Sequence, residues 1–146
     1  MNSYLDLINQ TFNFPQDEFK VIDGELYFHN IRMMDLIEKY ESPLKLSYLP
    51  KISAQINKAK KLFSNAIQKY NYEGNYQYAY CTKSSHFSFV LDEALKNDIH
   101  IETSSAYDIE IVKKLHQQGK ITKEQFILCN GFKRPLYTQK IAEIIN

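Results

Sequence analysis

The segment Tyr76-Gln-Tyr-Ala-Tyr-Cys-Thr-Lys83 opens the most regular part of the chain. It is rich in aromatic residues that favour β-strands, and a helical pattern over 87–97 follows it. The same order then occurs twice more, with strand patterns at His100–Thr103 and 126–129, each followed by a helical pattern. Strands that alternate with helices through short connections pair in parallel, with right-handed crossovers. We therefore predict an α/β fold.

Upstream of this segment, the sequence predicts one long helix and a smaller N-terminal region. Apolar residues recur at helical spacing over 51–70. Before them, Asp23-Gly24 is a turn signal that precedes a strand, a short helix is predicted over 33–40, and residues 44–48 alternate like a further strand. An apolar cluster before Pro15 favours another short helix.

Composition excludes several classes of function. The 146 residues carry 18 basic and 17 acidic side chains, a net charge of +1, so no basic surface for nucleic acid is expected. The sequence has no apolar run of membrane-spanning length and no secretory signal pattern at its start. Its two cysteines are too few for a disulfide framework and suit a reducing compartment. We expect a soluble, cytoplasmic protein without nucleic-acid or membrane partners.

Polar side chains follow each strand of the predicted parallel sheet. Ligands bind at the carboxyl ends of such strands, which selects residues 82–86, 102–105 and 130–133. Strand alternation places Lys83 on the face that carries Ala79 and Cys81. If that face lines a barrel, burial would disfavour the charged ammonium, as a lysine that bonds to a carbonyl cofactor requires. The simpler interpretation is a solvated lysine just past the end of a strand.

Three further residues each have a structural and a functional interpretation. Glu102 is either an acid that faces the site or an exposed acid on a short strand. Asp108 stands three residues after Ser105, a spacing typical of a helix capping box, which we favour from the residues alone. Asn130 with Gly131 fits a turn equally well. The four histidines and two cysteines have no spacing typical of a metal site.

The strand-end motifs resemble those of the fold-type III pyridoxal-phosphate-dependent decarboxylases, which have an alanine racemase-like barrel. Tyr80-Cys-Thr-Lys83-Ser-Ser-His is similar to the family's lysine segment. Ile101-Glu-Thr-Ser-Ser-Ala-Tyr-Asp108 and Phe126-Ile-Leu-Cys-Asn-Gly-Phe-Lys133 resemble the next two segments in the same order. Leu36-Ile-Glu-Lys-Tyr-Glu-Ser-Pro-Leu resembles an upstream segment, although Glu41 stands where a glycine is usual. Within the family, the resemblance is greatest to the bacterial biosynthetic arginine decarboxylases, and the stretches that carry it are Leu49-Pro-Lys-Ile-Ser, Cys81-Thr-Lys83-Ser-Ser-His-Phe and Ile101-Glu-Thr-Ser-Ser.

The resemblance implies a reaction and a site. Lys83 would be the catalytic residue and would hold pyridoxal phosphate, and Glu102, Asp108 and Asn130 would contribute to binding the cofactor. The family also allows a role for Mg²⁺. The implied reaction is decarboxylation of L-arginine to agmatine in polyamine and spermidine biosynthesis, carried out by a homodimer or a higher homo-oligomer. Diaminopimelate or another basic amino acid stays open as the substrate, and so does a non-catalytic truncated half-barrel.

The resemblance also implies how the chain is divided. Residues 1–49 would start a β-domain, and residues 50–146 would form the first part of a cofactor-binding (β/α)8 TIM barrel. A barrel of this kind needs roughly 250 residues. The resemblance therefore implies an N-terminal fragment of a longer enzyme, and we expect the fragment alone to be inactive.

Overall fold

A computed structural model of the chain describes residues 18–145. The chain divides into two units, Met1–Ser47 and Tyr48–Asn146. The short helix that the sequence predicts before Pro15 lies outside the described residues. Over residues 18–145, no helix combines the length and the apolar character that crossing a membrane demands.

The first unit contains an antiparallel three-stranded sheet and one helix. β1 (Phe19–Ile22) pairs with β2 (Glu25–Phe28), and β2 pairs with β3 (Ile31–Arg32), from which α1 (Met33–Tyr40) continues directly. The turn between β1 and β2 is Asp23-Gly24, and both residues have positive φ, 50° and 79°. Two such residues match the twist of a tight hairpin. The predicted turn, strand and helix are confirmed.

Residues 44–48 are not a strand, so that prediction was wrong. Leu46 and Tyr48 are 50% and 40% exposed, and among the described residues the segment pairs with no other strand. An alternating pattern makes a strand only where a neighbour accepts and donates its backbone hydrogen bonds. The apolar alternation therefore does not suffice here.

The second unit alternates strands and helices around a parallel sheet of three strands. Its strand order is β4-β5-β6, and both pairs are parallel. This arrangement confirms the predicted α/β class and the order of the elements. The elements are α2 (Pro50–Lys69), β4 (Ala79–Cys81), α3 (Ser88–Leu95), β5 (His100–Thr103), α4 (Ala106–Gln117), β6 (Ile127–Cys129) and α5 (Pro135–Ile145).

One face of this sheet packs against the helices. Tyr80, Ile101 and Ile127 lie side by side in the register of the three strands, and all three belong to the apolar core. Ile101 is 1% exposed. The buried members of the core are Leu91, Ile101, Val112, Leu115 and Ile121 in one cluster, and Ile56, Ala94 and Ile99 in the other.

Alternate residues of the same strands lie on the opposite face. The register places Cys81, Glu102 and Leu128 side by side there. Leu128 is 45% exposed, in contrast to the buried Ile101 on the helix-packed face. We call the face of Cys81, Glu102 and Leu128 the open face of the sheet.

Candidate ligand site at the carboxyl ends of the sheet

Lys83 lies in a tight turn directly after β4. The Ser84 N–H donates to the Cys81 carbonyl at 3.1 Å, and the Thr82 N–H donates to the Glu102 carbonyl at 3.0 Å, so the backbone on both sides of Lys83 is held. The Lys83 side chain is exposed. Within residues 18–145 its ammonium takes part in no hydrogen bond or ion pair. The structure therefore does not show the burial that the sequence allowed for Lys83, and its amine is accessible to a ligand.

Two side chains, the half-buried Tyr80 and the buried Thr82, hold the segment that carries Lys83. The Tyr80 hydroxyl donates to the Ser85 carbonyl at 2.9 Å, and the Thr82 hydroxyl donates to the Glu102 carbonyl at 3.1 Å. Thr82 is fully buried. Burial also raises the pKa of Tyr80 above its usual 10.0. These two hydrogen bonds therefore hold the backbone that positions Lys83.

Glu102 and Asn130 meet at the ends of neighbouring strands. The Asn130 side-chain amide nitrogen donates to Glu102 Oε1 at 2.9 Å, and its Oδ1 accepts from the Gly131 N–H at 2.7 Å. These two bonds use both ends of the amide and define its orientation. Gly131 has φ +79° and the chain bends there, which is compatible with the predicted turn. Asn130 can therefore both take part in the turn and present its side chain at the end of the strand.

Asp108 caps the start of α4. Its N–H donates to Ser105 Oγ at 3.4 Å, and its carboxylate Oδ2 accepts from the Ser104 N–H at 2.8 Å. Asp108 is buried. The capping interpretation is confirmed, with one difference: the carboxylate reaches the residue before the cap instead of the cap itself. A part in cofactor binding stays a prediction for this residue.

The four residues predicted from the sequence lie at one edge of the sheet without forming one network. Glu102 and Asn130 are hydrogen-bonded to each other, and Asp108 holds the loop that follows β5. Within the described part of the chain, Lys83 bonds to none of these three. Their shared location follows from parallel strands that end together.

Tyr137 is a residue of this edge that the sequence reasoning missed. It is 2% exposed, and its hydroxyl contacts Thr103 twice: Oγ1 at 2.9 Å, and the carbonyl oxygen, to which it donates, at 3.1 Å. Burial raises the pKa of Tyr137 above its usual 10.0. The signal was present in the sequence, because Tyr137, Ile141 and Ile144 recur at helical spacing and mark the core-facing side of α5.

The two clefts described in the surface lie away from the carboxyl-end edge of the sheet. Each is about 460 Å³ and lies towards the amino ends of the strands, one lined by residues that include Lys60 and Gln77, the other by residues that include Val112 and Gln125. Over residues 18–145, no group of three or more histidine, cysteine, aspartate or glutamate side chains is placed to hold a metal ion.

Comparison with known proteins finds similarity to a decarboxylase. No family model matches the chain, and no solved structure matches it. The chain is 28% identical over 120 residues to the biosynthetic arginine decarboxylase of Tolumonas auensis. That match covers 75% of this chain and 18% of the relative. Most of this chain is therefore similar to a short part of a decarboxylase.

Proposed function

We propose that this chain is part of a pyridoxal-phosphate-dependent decarboxylase that acts on a basic amino acid, with L-arginine as the substrate and agmatine as the product. The observation that carries the proposal is Lys83, an exposed ammonium without a partner among the described residues, held just past the end of a parallel strand. Similarity to a biosynthetic arginine decarboxylase supports the same reaction.

The residues at this edge fit the cofactor in chemical type. A primary amine at Lys83 matches the aldehyde carbon of pyridoxal phosphate. Glu102 and Asn130 are oriented acceptor and donor groups on the next two strands, and Asp108 would keep the loop between them in place. When bound, the cofactor supplies an electron-accepting ring that takes up the electrons left as carbon dioxide departs. The chain's own residues would hold and orient it.

The proposed fold follows the same resemblance. β4, β5 and β6 would be successive strands of a (β/α)8 barrel, and the open face of the sheet would line its interior. Residues 1–49 would belong to a β-domain, and residues 50–146 would start the barrel of a longer, cytoplasmic, homo-oligomeric enzyme. The open face supports this assignment because it carries Glu102 and is less buried than the face packed on the helices.

A non-catalytic half-barrel is the second candidate. One observation favours it: within residues 18–145 no hydrogen bond joins Lys83 to Glu102, Asn130 or Asp108. Under this alternative, the strand-end residues would keep their structural roles and Lys83 would be an ordinary surface lysine.

Cofactor attachment can be tested on this chain directly. We expect that pyridoxal phosphate at low molar excess, followed by borohydride reduction, labels Lys83 ahead of the other lysines, because its amine lies at the strand ends and, unlike that of Lys133, has no hydrogen-bond partner among the described residues. Peptide mass spectrometry locates the label. Lys83→Arg, which keeps the charge, should remove the preferred label, whereas Lys58→Arg on the exposed side of α2 should leave it unchanged. Labelling spread evenly over the surface lysines would contradict the proposal.

An assay that identifies the substrate requires the full-length product of the reading frame that contains this chain. We expect it to release carbon dioxide from carboxyl-labelled arginine faster than from lysine or diaminopimelate, and Lys83→Ala to abolish the release. A preference for diaminopimelate would keep the decarboxylase and exclude arginine. Selective labelling of Lys83 with no decarboxylation of any basic amino acid would exclude this reaction class.

A further inference from the structure

The Thr103 carbonyl at the end of β5 accepts two hydrogen bonds. The Asn130 backbone N–H donates to it at 2.8 Å, and the Tyr137 hydroxyl donates to it at 3.1 Å. The two donors therefore use both lone pairs of one oxygen. The same Tyr137 hydroxyl also lies 2.9 Å from Thr103 Oγ1. Both partners are buried, Thr103 fully and Tyr137 to 2% exposure.

Tyr137 also contacts the turn that carries Asn130. The Lys133 ammonium lies 5.3 Å from the centre of the Tyr137 ring and donates to the Gly131 carbonyl at 2.7 Å. A cation over an aromatic face is attracted to it. Tyr137 thus contacts the end of β5 through its hydroxyl and, through Lys133, the turn that follows β6.

Asn130 links these contacts to the Glu102 carboxylate. Glu102 precedes Thr103 in β5 and lies on the open face, whereas Thr103 lies on the helix-packed face with Tyr137. Asn130 joins the two sides, since its backbone bonds to Thr103 and its side chain donates to Glu102 at 2.9 Å. The distance between Asn130 and Glu102 therefore depends on how firmly the end of β5 is held.

We propose that Tyr137 is a positioning residue that orients the Glu102–Asn130 pair from the opposite face of the sheet. Its functional meaning rests on the proposed function, in which Glu102 and Asn130 contribute to the cofactor site. The hydroxyl is the part of Tyr137 that does this, because the ring alone fills space and can hold Lys133 without fixing the Thr103 carbonyl. A buried tyrosine would thus act on the site without touching a ligand.

The test is Tyr137→Phe in this chain, observed by NMR at the Asn130 side-chain amide. In the chain with Tyr137 intact, the two amide proton signals should move on Glu102→Gln, because the Glu102 carboxylate accepts a hydrogen bond from one of them. Without the Tyr137 hydroxyl, we expect the size of this response to fall by at least half and the Asn130 amide protons to exchange faster with water. Tyr107→Phe is the matched control, since Tyr107 is 78% exposed on α4.

The outcomes are separable from those of the cofactor experiment. An unchanged Asn130 response in a folded Tyr137→Phe protein would overturn the positioning role, even where Lys83 is selectively labelled. A reduced response would support it whether or not Lys83 takes up the cofactor. If Tyr137→Phe does not fold, replacement of Tyr137 by 4-fluorophenylalanine fills the space of the hydroxyl without donating to the Thr103 carbonyl, and an unchanged response there would likewise overturn the proposal.

Discussion

Gly131 and Ser104 approach each other so closely that a Cβ atom on Gly131 would lie 3.0 Å from the Ser104 carbonyl oxygen. The backbone of the turn after β6 therefore packs directly against the backbone of the loop after β5. Glu102 and Asn130 flank this contact and are hydrogen-bonded to each other. A glycine at position 131 is what allows the two strand ends to come together.

Gly131→Ala should lower the free energy of unfolding by about 2–3 kcal/mol. The left-handed φ of +79° accounts for about 1 kcal/mol, and displacement of the Ser104 backbone accounts for about 1–2 kcal/mol. Gly119→Ala is the control, because Gly119 has a φ of +68° but no atom within 4 Å of a Cβ. Urea unfolding measures both, and equal losses would show that the Gly131–Ser104 contact is unimportant.

Removing the Asp108 side chain should lower the stability of the fold more than removing only its charge. Asp108→Ala removes the acceptor of the Ser104 N–H and should cost about 1–2 kcal/mol of stability. Asp108→Asn keeps an acceptor oxygen there and should cost less than about 1 kcal/mol. Thermal and urea unfolding compare the two variants. If Asp108→Asn cost as much as Asp108→Ala, the negative charge itself would be the stabilising feature.

The two faces of the parallel sheet should differ in their tolerance of truncation. Ile101→Ala on the helix-packed face, where Ile101 is 1% exposed, should cost about 2–5 kcal/mol. Leu128→Ala on the open face should cost clearly less, because Leu128 is already 45% exposed. Chemical denaturation measures both losses. A loss at Leu128 as large as that at Ile101 would mean that the open face is covered in solution.

Stability should fall at alkaline pH because of the half-buried Tyr80 and the buried Tyr137. Burial raises the pKa of Tyr80 and Tyr137 above 10.0 in the folded state. In the unfolded chain, both phenols lose their protons near pH 10. Above that pH the unfolded state therefore binds fewer protons than the folded state, and the free energy of unfolding decreases until the folded-state pKa is passed.

Tyr137→Phe should weaken this alkaline decrease, and Tyr107→Phe should not. Ultraviolet absorbance of tyrosinate follows the ionisation, and urea unfolding at several pH values follows the stability. Tyr107 is 78% exposed, so Tyr107→Phe is the control substitution. An alkaline decrease in stability that is as large in Tyr137→Phe as in the unaltered chain would contradict the burial of Tyr137 seen in the structure.

Local patterns predicted most of the elements because each of them depends on nearby residues. Ser105 and Asp108 form their cap within a single turn, so their spacing alone predicted the contact. Residues 44–48 show the opposite case, because a strand requires a partner that its own sequence does not contain. Lys83 was located correctly after a strand, but its exposure depends on what packs around it.

The sequence by itself determined the order of strands and helices in this protein and the residue types at the strand ends, since periodicity and capping act over a few residues. Only the tertiary structure decided which of those residues meet. Asn130 reaches Glu102, and Tyr137 reaches Thr103, across 28 and 34 positions of the chain. Contacts over such separations depend on strand register and helix packing, which bring distant parts of the chain together.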